Sequence, residues 1–80
     1  MEEVNKIKAF IEQNELLQAL DQSLSLFGQN EQLKEETMLL KRRFHQLQKQ
    51  SRLGLMTIAD EVKMMDQLGK ELFQLVKSFS

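Results

Sequence analysis

The chain has 80 residues, 41% of them hydrophobic and 29% charged, with three Gly, no Pro, no Cys and a single His. A chain this short fills one core and not two, so one domain spanning residues 1–80 is expected, held by a margin of about a few kcal/mol. The absence of cysteine excludes disulfide staples, thiolate nucleophiles and Cys-ligated zinc, and one histidine excludes a His-rich metal centre. No apolar run approaches the roughly 18 residues of a membrane span. The opening Met1-Glu2-Glu3-Val4-Asn5-Lys6, read as beginning at an initiator methionine, has neither the basic nor the apolar region of an export signal. A soluble, cytoplasmic protein is the expectation.

Leu, Gln, Glu, Lys and Met dominate and β-branched residues are few, which makes helix the favoured backbone throughout and leaves only the breaks to locate. Three places interrupt the pattern: Asn14, Gly28-Gln29-Asn30 and Gly54-Leu55-Met56-Thr57. There Gly accepts a left-handed helix end, while Asn and Thr cap the helix that follows. Three breaks make four helices.

The first helix, from about residue 3 to 13, carries Val4, Ile7, Phe10 and Ile11 on one face and is short enough to depend on packing. Asn14 is placed to cap the second, whose stripe of Leu16, Leu17, Leu20, Leu24 and Phe27 ends at Gly28. The third, from about Glu31 to Leu53, repeats Leu33, Thr37, Leu40, Phe44, Leu47 and Ser51 in steps of four and three. Thr57-Ile58-Ala59-Asp60 has the form of a capping box and opens the fourth. Its stripe of Ile58, Val62, Met65, Leu68, Leu72, Leu75, Val76 and Phe79 continues nearly to the end of the chain, with Gly69 beside it where another backbone can come close. The fold class that follows is all-α: a compact four-helix bundle of two hairpins, a short N-terminal pair and a long antiparallel C-terminal pair. Phe44, Leu47, Leu68 and Leu72 fall at its centre, with Leu55 and Met56 packed over the long hairpin's end. No second copy of the first hairpin follows, which excludes a repeat solenoid.

Net charge is −1, unevenly placed: residues 1–30 carry −3, residues 31–40 carry −2, residues 41–56 carry +5 with no acid, and residues 57–80 carry −1. Acids near helix N-termini and bases near C-termini are explained in large part by the helix dipole, at about 0.3–1 kcal/mol each. On a helical wheel, however, Arg42 and Lys49 lie opposite the apolar stripe of the third helix, with His45 and Met38 on the same outer flank. Arg43 points to another side and reads as structural. Five bases without interleaved aromatics, in a chain of net negative charge, make a poor nucleic-acid surface.

Chemistry is sparse. His45 has Lys41, Arg42, Gln48 and Lys49 as its neighbours, which form neither a metal set nor a nucleophilic relay. Glu35-Glu36 and Asp60-Glu61 are adjacent pairs that diverge around a helix and sit in first turns, where acids are expected. The three glycines lie 26 and 15 residues apart and form no phosphate loop. No catalytic residue, cofactor site or metal site is expected. Of the methionines, Met38 and Met64 are the two expected at the surface.

The stretch Lys41-Arg42-Arg43-Phe44-His45-Gln46-Leu47, followed by Arg52-Leu53-Gly54-Leu55-Met56-Thr57 and a helix ending Leu72-Phe73-Gln74-Leu75-Val76, resembles the type-eleven class of effector-associated domains of bacterial conflict systems. Ile11-Glu12-Gln13-Asn14-Glu15-Leu16-Leu17-Gln18-Ala19-Leu20 is similar to the opening of that class, so the resemblance covers nearly the whole chain. The chain departs from the pattern at His45 and at Asp66, where the class favours Asn. The resemblance implies a non-enzymatic adaptor that joins an effector, such as a protease or another toxic enzyme, to a sensor, such as a nucleotide-hydrolysing protein, through like-with-like association. Any effector would then lie outside these residues. A partner carrying a similar domain is expected, with Arg42, Lys49, His45 and Met38 facing Glu12, Glu15 and Asp21 of another copy. A general oligomerisation or antitoxin-like module is the alternative, with a nucleic-acid binder behind it.

Overall fold

In a computed structural model, which describes residues 2–79, the chain forms four helices: α1 (Glu2–Glu12), α2 (Leu16–Phe27), α3 (Glu31–Arg52) and α4 (Ile58–Phe79). Met1, read above as the initiator, and Ser80 lie outside the described residues. There is no strand among the described residues. The fold is the expected all-α four-helix bundle, with α3 and α4 antiparallel: Ser51 Oγ donates to Glu61 near one end of the pair, and Arg43 Nη1 meets Glu71 Oε2 at 2.9 Å further along. The two hairpins are not separate layers. α2 packs against α3 as well as α1, and α1 touches α2 and α4 but not α3, as neighbours and diagonals do in a four-cornered bundle.

The helix ends follow local chemistry, with two corrections. Gly54 has φ +73°, its N–H bonds to the Ser51 carbonyl and the Leu55 N–H to that of Gln50, so the end of α3 is closed by a left-handed glycine as expected. Asn30 Oδ1 accepts from the Leu33 N–H and Thr57 Oγ1 from the Asp60 N–H, each at 3.2 Å, capping α3 and α4. Asn14, in contrast, does not cap α2. It has φ 60°, with its own N–H bonded to the Ile11 carbonyl and the Glu15 N–H to that of Phe10; it ends α1, doing with asparagine what Gly54 does with glycine. The N-cap position of α2 is Glu15, whose side chain makes no capping bond. Gly28 is the second correction: it is not left-handed (φ −4°), and the turn closes through the Asn30 N–H on the Phe27 carbonyl.

One core joins all four helices. It contains Val4 and Ile7, Leu16, Ala19, Leu20 and Phe27, Leu40, Phe44 and Leu47, and Leu68, Leu72 and Val76. The four residues expected at its centre are all buried in it. Two hydroxyls enter this core, Ser23 and Thr37, and each donates at 2.7 Å to the carbonyl four residues back, Ala19 and Leu33, so neither is buried without a partner. α1 seats on α4 at Gly69, where a Cβ would stand 3.2 Å from Ile11 Cγ2. The Lys8 ammonium lies 5.2 Å from the centre of the Phe73 ring across the same contact. At the other end the Phe27 and Phe79 rings meet at 5.3 Å.

Helix length decides what remains uncovered. At 1.5 Å per residue, α3 and α4 are about 33 Å long while α1 and α2 are about 17 Å, and the molecule measures 38 Å in its longest dimension. Because the end of α2 is level with the end of α4, the long hairpin projects past the α1–α2 turn. This explains the main departure from the expected stripes. Ile58 and Val62 continue the periodicity of α4, yet they are 81% and 58% exposed. Leu55, expected to pack over the hairpin end, is 73% exposed, whereas its neighbour Met56 does pack against the core.

Candidate functional site

The residues singled out for partner binding divide into two groups that the fold keeps apart. Met38, Arg42, His45 and Lys49 stand at i, i+4, i+7 and i+11 on α3, and all are exposed, so they form one row along the outer flank of that helix. His45 lies against the Phe44 ring, 5.6 Å between centres. Glu12 and Glu15 are exposed at the α1–α2 turn. Among the described residues no ion pair joins the two groups.

Asp21 is engaged elsewhere. Its Oδ1 accepts from Lys41 Nζ at 2.7 Å, bridging α2 to α3, with the lysine side chain 33% and the aspartate 54% exposed. A pair this open adds about 0.2–1 kcal/mol at most, but it neutralises the charge that Asp21 would offer a partner. Arg43 bridges α3 to α4 through Glu71, which accords with its structural reading. Of the five bases between residues 41 and 56, Lys41 and Arg43 are thus used inside the fold. Arg42, Lys49 and Arg52 have no ion-pair partner among the described residues.

The surface that sequence periodicity missed is the uncovered side of the projecting hairpin. Lys41 reaches α2 through Asp21, and Gln48 and Arg52, seven and eleven residues on, point within about 20° of it at 100° per residue. Gln48 lines a groove beside Asn14 and Leu16, where α2 begins, and Arg52 lies beyond. On α4 the same holds in mirror sense. Gly69 faces Ile11 of α1, and Val62 and Ile58, seven and eleven residues earlier, point within about 20° of it, past the end of α1. The result is a shelf: its floor is α3 and α4 with Arg52, Ile58 and Val62, and its wall is the α1–α2 turn with Glu12 and Glu15. The corner between them is an open groove of about 730 Å³ whose lining includes Ile11, Leu16, Phe44, Val62, Met65 and Gly69. The signal that could have found it is the mismatch between two helices of about twelve residues and two of 22.

The rest of the surface offers little else. Met38 and Met64 are exposed, as read from the sequence, and so is Leu39. No three His, Asp or Glu residues among those described are grouped to hold a metal ion, and no helix of the described residues is long and apolar enough to cross a membrane. The groove corner holds carboxylates and Lys70 but no histidine.

No curated protein and no solved structure matches the chain. One family does, over residues 2–80, and its description is effector-associated domain 11. With essentially every residue matched and the four-helix fold in place, the chain belongs to the effector-associated domain 11 family.

Proposed function

We propose that this domain is a non-enzymatic adaptor that couples an effector to a sensor, such as a nucleotide-hydrolysing protein, by like-with-like association of helical domains in bacterial defence signalling. The observation that carries this reading is the family match over residues 2–80, under a name that ties the domain to effectors. The surface supports it. Among the described residues, Arg42, Lys49 and Arg52 on α3 and Glu12 and Glu15 at the α1–α2 turn have no ion-pair partner, and Ile58 and Val62 stand exposed on α4. Two copies can join such surfaces. Arg42, Lys49 and His45, with Met38 in the same row, steer the encounter toward Glu12 and Glu15 of another copy, and Asp21 contributes less because Lys41 already neutralises it. The partner is a second copy or another protein carrying a similar domain, and the cell compartment is the cytoplasm.

Co-expression of two differently tagged copies tests the reading. Capture of one is expected to retrieve the other, and also a similar domain from a neighbouring coding region, but not an unrelated helical bundle of the same net charge. Equal retrieval of the unrelated bundle would favour a general oligomerisation module. No retrieval of any copy would refute like-with-like association, and retention on duplex DNA with a steep salt dependence would favour the nucleic-acid reading.

A further inference from the structure

The hairpin overhang is a surface that α3 and α4 build for burial and that α1 and α2 are too short to bury. From the level of Gln48 to Gly54, and from Met65 back to Ile58, the floor is about 10 Å long at 1.5 Å per residue. Four of the nine large apolar side chains exposed among the described residues, Leu53, Leu55, Ile58 and Val62, belong to this one end. Clustering of that kind marks an interaction site rather than scattered surface apolarity.

We propose that the shelf is the seat of a second copy of this chain, the two overhangs lying antiparallel about a two-fold axis so that each covers the floor of the other. The proposal rests on like-with-like association and names the surface through which it occurs. Two observations select a second copy as the occupant. The first is shape: an overhang is as long as the shelf it creates, so a second overhang fills the step and its tip stops against the α1–α2 turn. The second is charge. In that arrangement the tip brings Arg52, exposed and without an ion-pair partner among the described residues, to the wall that carries Glu12 and Glu15, which are likewise exposed and unpaired. The two-fold axis makes this contact twice, as an isologous interface requires. Ile58 and Val62 of each copy then lie on the apolar floor of the other. The outer row of Arg42, His45 and Lys49 stays at the rim, where charge governs encounter more than the life of the complex. A floor about 10 Å long by two helices wide lies below the roughly 1,200–2,000 Å² that stable specific interfaces bury, so the dimer is a weak, transient one.

Sedimentation equilibrium of the 80-residue chain, with circular dichroism to verify folding, tests the proposal. The wild type is expected to rise with concentration from the mass of one chain to a plateau at two. Ile58→Asp and Val62→Asp each replace an exposed side chain, so the fold is retained while the dimer weakens at least tenfold; Leu39→Asp, exposed on the opposite side of α3, leaves it unchanged. Arg52→Glu alone and the double change Glu12→Lys, Glu15→Lys alone each weaken the dimer. An equal mixture of the two restores it as a one-to-one heterodimer, because both symmetry-related contacts are then attractive. Self-association that persists in Ile58→Asp and Val62→Asp overturns the shelf as the seat and leaves like-with-like association standing. A mass that climbs past two chains without a plateau overturns the two-fold arrangement. A wild type that stays monomeric throughout overturns the shelf as the seat of a second copy, while the adaptor reading then stands or falls on capture of another protein's similar domain.

Discussion

Gly69 tests the packing of the bundle at the contact between α1 and α4. Glycine inside a helix costs about 0.8–1 kcal/mol relative to alanine, so a change to alanine begins with that much in its favour. Against it stands the 3.2 Å separation between the new methyl and Ile11 Cγ2, which requires the isoleucine to yield by a few tenths of an ångström. Ile11 is half-buried and bordered by the open groove, so it can yield. The two effects nearly cancel, and Gly69→Ala is expected to melt within about 5 °C of the parent, since 1 kcal/mol moves the midpoint of a domain this size by about 4–8 °C. Gly69→Leu adds three further carbons beside Ile11, which push α1 from α4 wherever they do not turn into the groove. Overpacking costs about 1–3 kcal/mol and sometimes more, and lifting α1 exposes Ile7 and Val4 besides. We expect a net loss of about 2–3 kcal/mol, a fall of roughly 8–24 °C, by thermal and urea unfolding followed by circular dichroism. A leucine variant as stable as the parent would show that α1 does not seat on α4 at Gly69.

Other substitutions address single links in the argument. Phe44→Ala empties a buried position at the centre of the core and should cost about 3–5 kcal/mol; a melting point within a degree or two of the parent would contradict that position. Asn14→Gly should stabilise the domain by about 0.5 kcal/mol, because glycine takes the left-handed conformation at φ 60° with less strain; a loss of stability would return Asn14 to the role of N-cap for α2. Asn30→Ala should remove about 0.5–2 kcal/mol with its capping bond, measured by urea unfolding. Arg42→Glu with Lys49→Glu should leave stability within about 0.5 kcal/mol, both side chains being exposed. The same pair should slow self-association several-fold at low salt and little at high salt, and a salt-independent loss would make these residues part of the contact itself.

The fold was legible because its determinants are local. Helix-favouring composition, three breaks and steps of three and four are enough to find four helices and a core around Phe44, Leu47, Leu68 and Leu72. Gly54, Asn30 and Thr57 act as their residue types suggest. Asn14 ends α1 rather than capping α2, because asparagine suits both a helix end in the left-handed region and a helix start, and sequence alone does not say which helix it serves. Ala19 and Ser23, buried in α2 but absent from its expected stripe, are small residues whose burial reflects close approach rather than apolarity. The bridges from Lys41 to Asp21 and from Arg43 to Glu71 span 20 and 28 residues, beyond any helical spacing rule. The shelf was hidden for a related reason. Periodicity marks Ile58 and Val62 as facing inward, and they do face the inner side of their helix, but periodicity carries no information about whether a neighbouring helix reaches that far.

Association of this domain with its own kind is read from the concentration dependence of its backbone amide shifts. Spectra recorded from about 10 μM to about 1 mM bracket the affinity expected of a small, reversible interface. Progressive shifts are expected at the α1–α2 turn, Glu12 to Leu16, and along the overhang from Gln48 to Val62, with the Phe27 and Phe79 end of the bundle unchanged. Spectra that superimpose across the whole range would contradict that association.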